Sequence, residues 1–223
     1  LPTVLSDVFF KMVKEDQFLY LLKVNSVGEK IWSKYIQEDY FESSGKKIII
    51  DKHSVLNIFS NNHKNNKENL IKWIASKDNI VYQEYILISD KDAVLSDVFY
   101  DGNNFYLTGL VMNYKNKKKD YYDIFLVKLN ERYEMEYNKI IRSDYNDWST
   151  GISIEENLLL FGEINEDNKK RLYFLQLNHE GSFISMKKYD SPYKDISIMD
   201  GIITDNGFVG VGSKWEEKRV GML

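Results

Sequence analysis

Cysteine is absent from the 223 residues, which excludes disulfides, thiol catalysis and thiolate metal sites. The compartment stays open, since many extracellular proteins also lack disulfides. There is no apolar run of about 18 residues, so no segment reads as a membrane-spanning helix. Basic charge is not in excess. The 30 Lys and Arg against 34 Asp and Glu leave a net charge of −4, without the positive footprint of a nucleic-acid binder. Histidine is scarce, and His53, His63 and His179 fall in turns or polar loops with no metal-like spacing. That pattern argues against a zinc site or a histidine-based triad. No Gly-rich phosphate loop, nucleophile elbow or paired-histidine motif is present. Amphipathic segments of helical period are missing too, so helix should be scarce.

What the chain has is aromatic residues and a repeat. Sixteen tyrosines and twelve phenylalanines suit strands, whose pleated, half-buried faces accept aromatic side chains. One stretch is written four times: Phe18 to Asn25, Asn69 to Ile74, Asp123 to Asn130 and Leu172 to Asn178. Each copy leads into a second strand-like run. Anchored on Lys23, Lys72, Lys128 and Gln176, the copies are 49, 56 and 48 residues apart. A strand-rich period near 50 is that of propeller blades.

Each unit holds four short strand-like runs, A to D. Turns between A and B fall at Asp51 to His53, Asp101 to Asn104, Glu155 to Asn157 and Asp205 to Gly207, where Asp, Asn and Gly accept positive φ. Gly109, Gly162 and Gly212 share one place in strand B, with Phe59 there in the second unit. A repeated strand glycine marks a bulge or close backbone approach. The A–B region has five candidates and the C–D region only four. Ring closure resolves this: the last A and B strands join the first C and D strands in one blade, removing a bare edge. The predicted fold is therefore all-β, a small β-propeller of four (or five) four-stranded antiparallel blades. It is read as a single domain over 1–223, with units of approximately 1–38, 39–90, 91–143, 144–191 and 192–223. Val4 to Val13 is left as an additional strand. A fragment of a larger propeller, serving as an assembly subunit, is the other architecture considered.

The motif Lys-x-Asn-x-x-Gly-x-x-x-Trp-x-Lys, written best from Lys23 through Asn25, Gly28 and Trp32 to Lys34, resembles the repeat of bacterial β-propeller proteins of the quinoprotein-like superfamily. The resemblance implies the fold, and a secreted or cell-surface bacterial protein or lipoprotein. Leu1 at the start is consistent with a mature chain whose secretory signal was removed. No quinone site is carried over, since the cysteine pair and calcium-binding residues of the quinone enzymes are not recognisable.

Between D and A the connections are acidic and aromatic. Glu42, Asp92, Asp147 and Asp195 recur there at 50, 55 and 48 residues, with Tyr145, Trp148 and Tyr193 nearby. Such a carboxylate ring suits a polyol or a calcium ion, which takes all-oxygen ligands, with the aromatics as stacking surfaces. An Asp before a strand also accepts backbone N–H bonds, and a residue present in every blade commonly serves the blade. The B–C segments read as long polar loops. Lys115 to Lys119 reads as a solvated tip rather than a phosphate contact. The expected function is an exported, non-catalytic binding or scaffold domain that recognises protein or glycan through one face. The alternative is a propeller-type glycan-active enzyme using axial carboxylates, which needs two of them about 5–10 Å apart.

Overall fold

The structure is a computed structural model describing residues 19–36, 42–64, 67–76, 79–86, 92–116, 119–166, 169–190, 195–204 and 207–215. Among these every regular element is a β-strand. The chain divides into two compact units, Leu1–Val94 and Leu95–Leu223. The additional strand expected over Val4 to Val13 lies outside the described residues.

The first unit contains a two-stranded sheet, β1 (Leu19–Val24) and β2 (Lys30–Ile36). It also contains a four-stranded antiparallel meander of β3 (Glu42–Ile50), β4 (Leu56–Lys64), β5 (Lys67–Ser76) and β6 (Asn79–Ile86). The second unit has two more such meanders. One runs through β7 (Ala93–Tyr100), β8 (Phe105–Asn116), β9 (Lys119–Leu129) and β10 (Met135–Ile141). The other runs through β11 (Asn146–Ile154), β12 (Leu158–Glu166), β13 (Lys169–Leu177) and β14 (Phe183–Asp190). A two-stranded sheet, β15 (Asp195–Thr204) with β16 (Gly207–Trp215), ends it.

Strand alternation explains how the second unit holds together. Tyr106, Ile124, Leu126, Leu158, Leu160, Tyr173 and Leu175 are buried on facing sides of the β7–β10 and β11–β14 sheets. Burying one such side chain is worth about 1.5–3 kcal/mol, so this apolar seam is the main cohesive element. On the far face of the β11–β14 sheet, Phe161 and Phe174 each pack against Phe208 of β16 at 4.8 Å between centroids. β11 packs on β8 and β9, and β15 on β11, β12 and β13.

The Lys-x-Asn-x-x-Gly motif is a turn device. Asn25 Oδ1 accepts the N–H groups of Val27 and Glu29, and Asn130 Oδ1 those of Arg132 and Glu134. In the fourth copy Asn178 Oδ1 accepts that of Ser182 at 2.7 Å. The third residue after each Asn has positive φ: Gly28 at 85°, Tyr133 at 66° and Gly181 at 69°. Tyr133 adopts the left-handed conformation where the first and fourth copies use glycine, which costs a non-glycine residue about 1 kcal/mol.

Register shifts place one bulge in each of β3, β11 and β15, skipping Lys46, Thr150 and Met199. Just before it, Gly45 pairs with Ser60, Ser149 with Gly162, and Ile198 with Gly212. The residue equivalent to the repeated glycine is therefore Ser60. Phe59 pairs with Lys47 beyond the bulge, as Phe161 does with Gly151. A Cβ on Gly162 would collide with the Trp148 carbonyl oxygen, and one on Gly212 with that of Ser197. Bulge and close approach both account for these glycines.

The B–C segments are not loops. β4 and β5 stay paired out to Lys64 with Lys67, β8 and β9 to Asn116 with Lys119, and β12 and β13 to Glu166 with Lys169. Each is a hairpin whose ladder runs on through polar sequence to a two-residue tip.

Candidate functional site

The D–A connections and the B–C hairpin tips lie at the same end of each sheet. In the β11–β14 sheet one row runs Asp147, Ile164, Arg171, Asp190, and the next begins Asn146, Asn165, Lys170. Of the expected site residues, Tyr145, Asp147 and Trp148 come together here. Asp92 directly precedes β7, and Glu42 and Asp195 are the first residues of β3 and β15. The side chains of Glu42 and Asp195, and all of Tyr193, lie outside the described residues.

Register separates Asp147 from Glu42 and Asp195. Glu42 pairs with His63, three residues past Ser60, and Asp195 with Trp215, three past Gly212. The residue three past Gly162 is Asn165, whose partner is Asn146. Asp147 is one residue further on, and a one-residue offset turns a side chain to the opposite face of the sheet. Asn146 does what the bland reading of this place requires. Its Oδ1 accepts the Tyr122 N–H of β9 at 3.1 Å, tying one sheet to the next.

Asp147 instead points into the seam between the two four-stranded sheets and is 3% exposed. Burial pushes its carboxyl up from 3.8 to about 6. The Ser143 hydroxyl and Lys188 oppose that rise, while Asp123 and Glu166 add to it. Oδ1 of Asp147 has no hydrogen-bond partner among the described residues. Tyr173 is fully buried close by, and burial lifts its phenol well above the usual range, with Asp147 and Glu163 adding to that rise.

Trp148 and Glu163 are paired and occupy the other face. Glu163 is 2% exposed and forms an ion pair with Lys170 at 2.5 Å. Lys170 Nζ also lies 5.4 Å from the Trp148 ring centroid and 3.1 Å from Ser197 Oγ of β15. The rim carries a third cluster. Arg171 bridges Glu166 and Asp190 at 2.5 Å each, and Lys188 reaches Glu166 at 3.0 Å. Hydrogen bonding from Lys188, then from Arg171, holds the Glu166 carboxyl below its ordinary range. Lys188 Nζ is 5.6 Å from the Tyr145 ring centroid. Tyr145 and Trp148, two of the three aromatics expected as stacking surfaces, thus have a lysine over one face.

Sequence reading missed Asp123, Glu163, Tyr173 and the lysines that serve the site. A signal for Glu163 existed. The residue after the bulge glycine is Leu110 or Ser213 in other sheets, and Asn61 follows Ser60. A carboxylate there breaks the repeat's own pattern. Chemically the end offers charge pairs and half-buried rings. The His179 ring meets the Glu156 carbonyl at the opposite end of the sheet, 3.1 Å away. Among the described residues no group of three or more His, Asp or Glu side chains is arranged to hold a metal ion. No family model matches the chain, and no curated protein matches it.

Proposed function

We propose that this chain is an exported, non-catalytic binding or scaffold module, built as a small propeller of the quinoprotein-like repeat type, that recognises a protein or glycan with the end formed by its B–C hairpins and D–A connections. The observation that carries the reading is the segregation along the β11–β14 sheet. Apolar side chains fill the seam, while Tyr145, Trp148, Lys170, Arg171, Lys188 and Asp190 gather at one end of a rigid ladder, where recognition usually sits.

Ring closure is part of this proposal. The β15–β16 sheet has the A and B strands of a blade and the β1–β2 sheet has the C and D strands, so together they complete a fourth blade. A groove of about 610 Å³ lined by Phe174, Tyr189 and Phe208 supports it, since outer strands beside β16 would cover these rings. The exposed valines Val209 and Val211 on β16 fit the same reading.

A glycan-active enzyme is the second reading, favoured by the raised Asp147 carboxyl, which is what a general acid needs near neutral pH. Its burial opposes that role. A glycan array and a panel of cell-surface proteins, probed with the full chain and with Trp148→Ala and Lys188→Ala, test the proposal. Binding that both substitutions weaken supports it. Turnover of a glycan that Asp147→Asn abolishes would replace it with the enzymatic reading, and binding indifferent to both substitutions would move the site elsewhere.

A further inference from the structure

Asp147 is a buried titratable carboxyl that the binding reading leaves without a task. Its surroundings are mixed in sign. β9 contributes Asp123, itself 2% exposed, with Arg142 beyond the end of β10 at 3.9 Å from it. The connection into β11 contributes Ser143 and Tyr145, and β12 contributes Glu166 on this side and Glu163 on the far face. β13 brings Tyr173 and Arg171, and β14 brings Lys188 and Asp190. Arg171 is engaged by Glu166 and Asp190. Lys188 holds Glu166, lies over Tyr145, and is the cation whose field favours an ionised Asp147.

Two demands on Lys188 therefore compete. A protonated Asp147 exerts no net charge on it, and the Glu166 contact and the place over Tyr145 go unopposed. An ionised Asp147, with Oδ1 lacking a hydrogen bond, draws the ammonium inward. We propose that Asp147 is a proton switch beneath the hairpin end of this sheet, and that its ionisation pulls Lys188 off Glu166 and uncovers the Tyr145 ring. The proton passes to and from solvent, and no other group changes its covalent state. Burial sets the working range, around 6, where the site changes charge across mildly acidic to neutral conditions.

The biological meaning rests on the recognition role proposed for this end. The test needs no ligand, so the two stand or fall separately. Carbon-13 carboxyl and amide spectra of the full chain, titrated from about pH 4.5 to about pH 8, read it directly. The Asp147 carboxyl carbon is expected to titrate with a midpoint near 6, and the Tyr145 ring and Lys188 amide signals to move with it. Asp147→Asn should flatten those two responses. Lys188→Met should keep the Asp147 titration, shift its midpoint upward and silence the Tyr145 ring, and this arm holds if the Asn variant fails to fold. His53, His63 and His179 ordinarily titrate within this window, so the wild-type-minus-variant difference decides. An Asp147 midpoint at or below about 4 overturns the proposal. So does a Tyr145 response that survives in either variant, or one absent while Asp147 titrates.

Discussion

Removing the cation from the Glu163–Lys170 pair gives the sharpest energetic test of the site. Glu163 is 2% exposed and Lys170 about a quarter exposed, so the charges differ in how much water can replace the lost partner. Lys170→Met keeps the aliphatic stem over Trp148 but strands a carboxylate between sheets. Breaking a buried pair from one side costs about 3–5 kcal/mol, and the partly open approach on the lysine side reduces that to roughly 2–3 kcal/mol. At about 2–4 °C per kcal/mol, the transition of the second unit should fall by roughly 5–10 °C. Glu163→Gln leaves an ammonium that can turn toward solvent and should cost only about 1 kcal/mol. Glu163→Leu with Lys170→Met, which removes both charges, should return to within about 1 kcal/mol of wild type. Urea and thermal unfolding of the four proteins, followed by tryptophan fluorescence and by hydrogen exchange in β12 and β13, give the comparison. The ordering is the decisive part. A Lys170→Met protein within about 0.5 kcal/mol of wild type, or less destabilised than Glu163→Gln, would refute the reasoning.

Other outcomes follow from the same structure. For Asp147 the folded carboxyl, near 6, binds its proton more tightly than the ordinary 3.8, so its contribution favours folding below about pH 4 and is lost as pH rises through 6. The loss amounts to about 3 kcal/mol, and Asp147→Asn should remove that slope in urea titrations at paired pH values. An unchanged slope would contradict the assignment. Gly162→Ala forces a methyl against the Trp148 carbonyl, and overpacking of about 1–3 kcal/mol is expected as a lowered melting temperature. Asn130→Ala deletes two backbone bonds and one to Glu134 in an exposed turn, with a loss of about 1–2 kcal/mol measurable by urea unfolding.

Much of the architecture was legible because it is local and repeated. The spacing of Lys23, Lys72, Lys128 and Gln176 located the third strand of each repeat, and the Asp and Asn turns located its hairpins. Three things were not legible. Beyond Val111 the sequence of β8 and the start of β9 is a polar run, so no alternation of apolar and polar residues marks it as strand. The A–B turns differ in length, five residues between Ile50 and Leu56 but three between Ile154 and Leu158, so counting back from strand B picked Asp147 where the register equivalent is Asn146. The lysines over Tyr145 and Trp148 come from strands 43 and 22 positions away, since partners across a meander need no local pattern. Composition showed that aromatics and acids were present at this end, but not which of them were already engaged.

The projecting hairpins have a consequence for change over time. Their main-chain groups are satisfied between two strands rather than by the interior, and substitutions near their tips disturb neither the seam nor the bulge glycines. Change at these outer rungs is accordingly decoupled from the apolar seam that holds the sheets together. A descendant of this chain could acquire a different target by rewriting a few outer rungs while its framework stayed untouched.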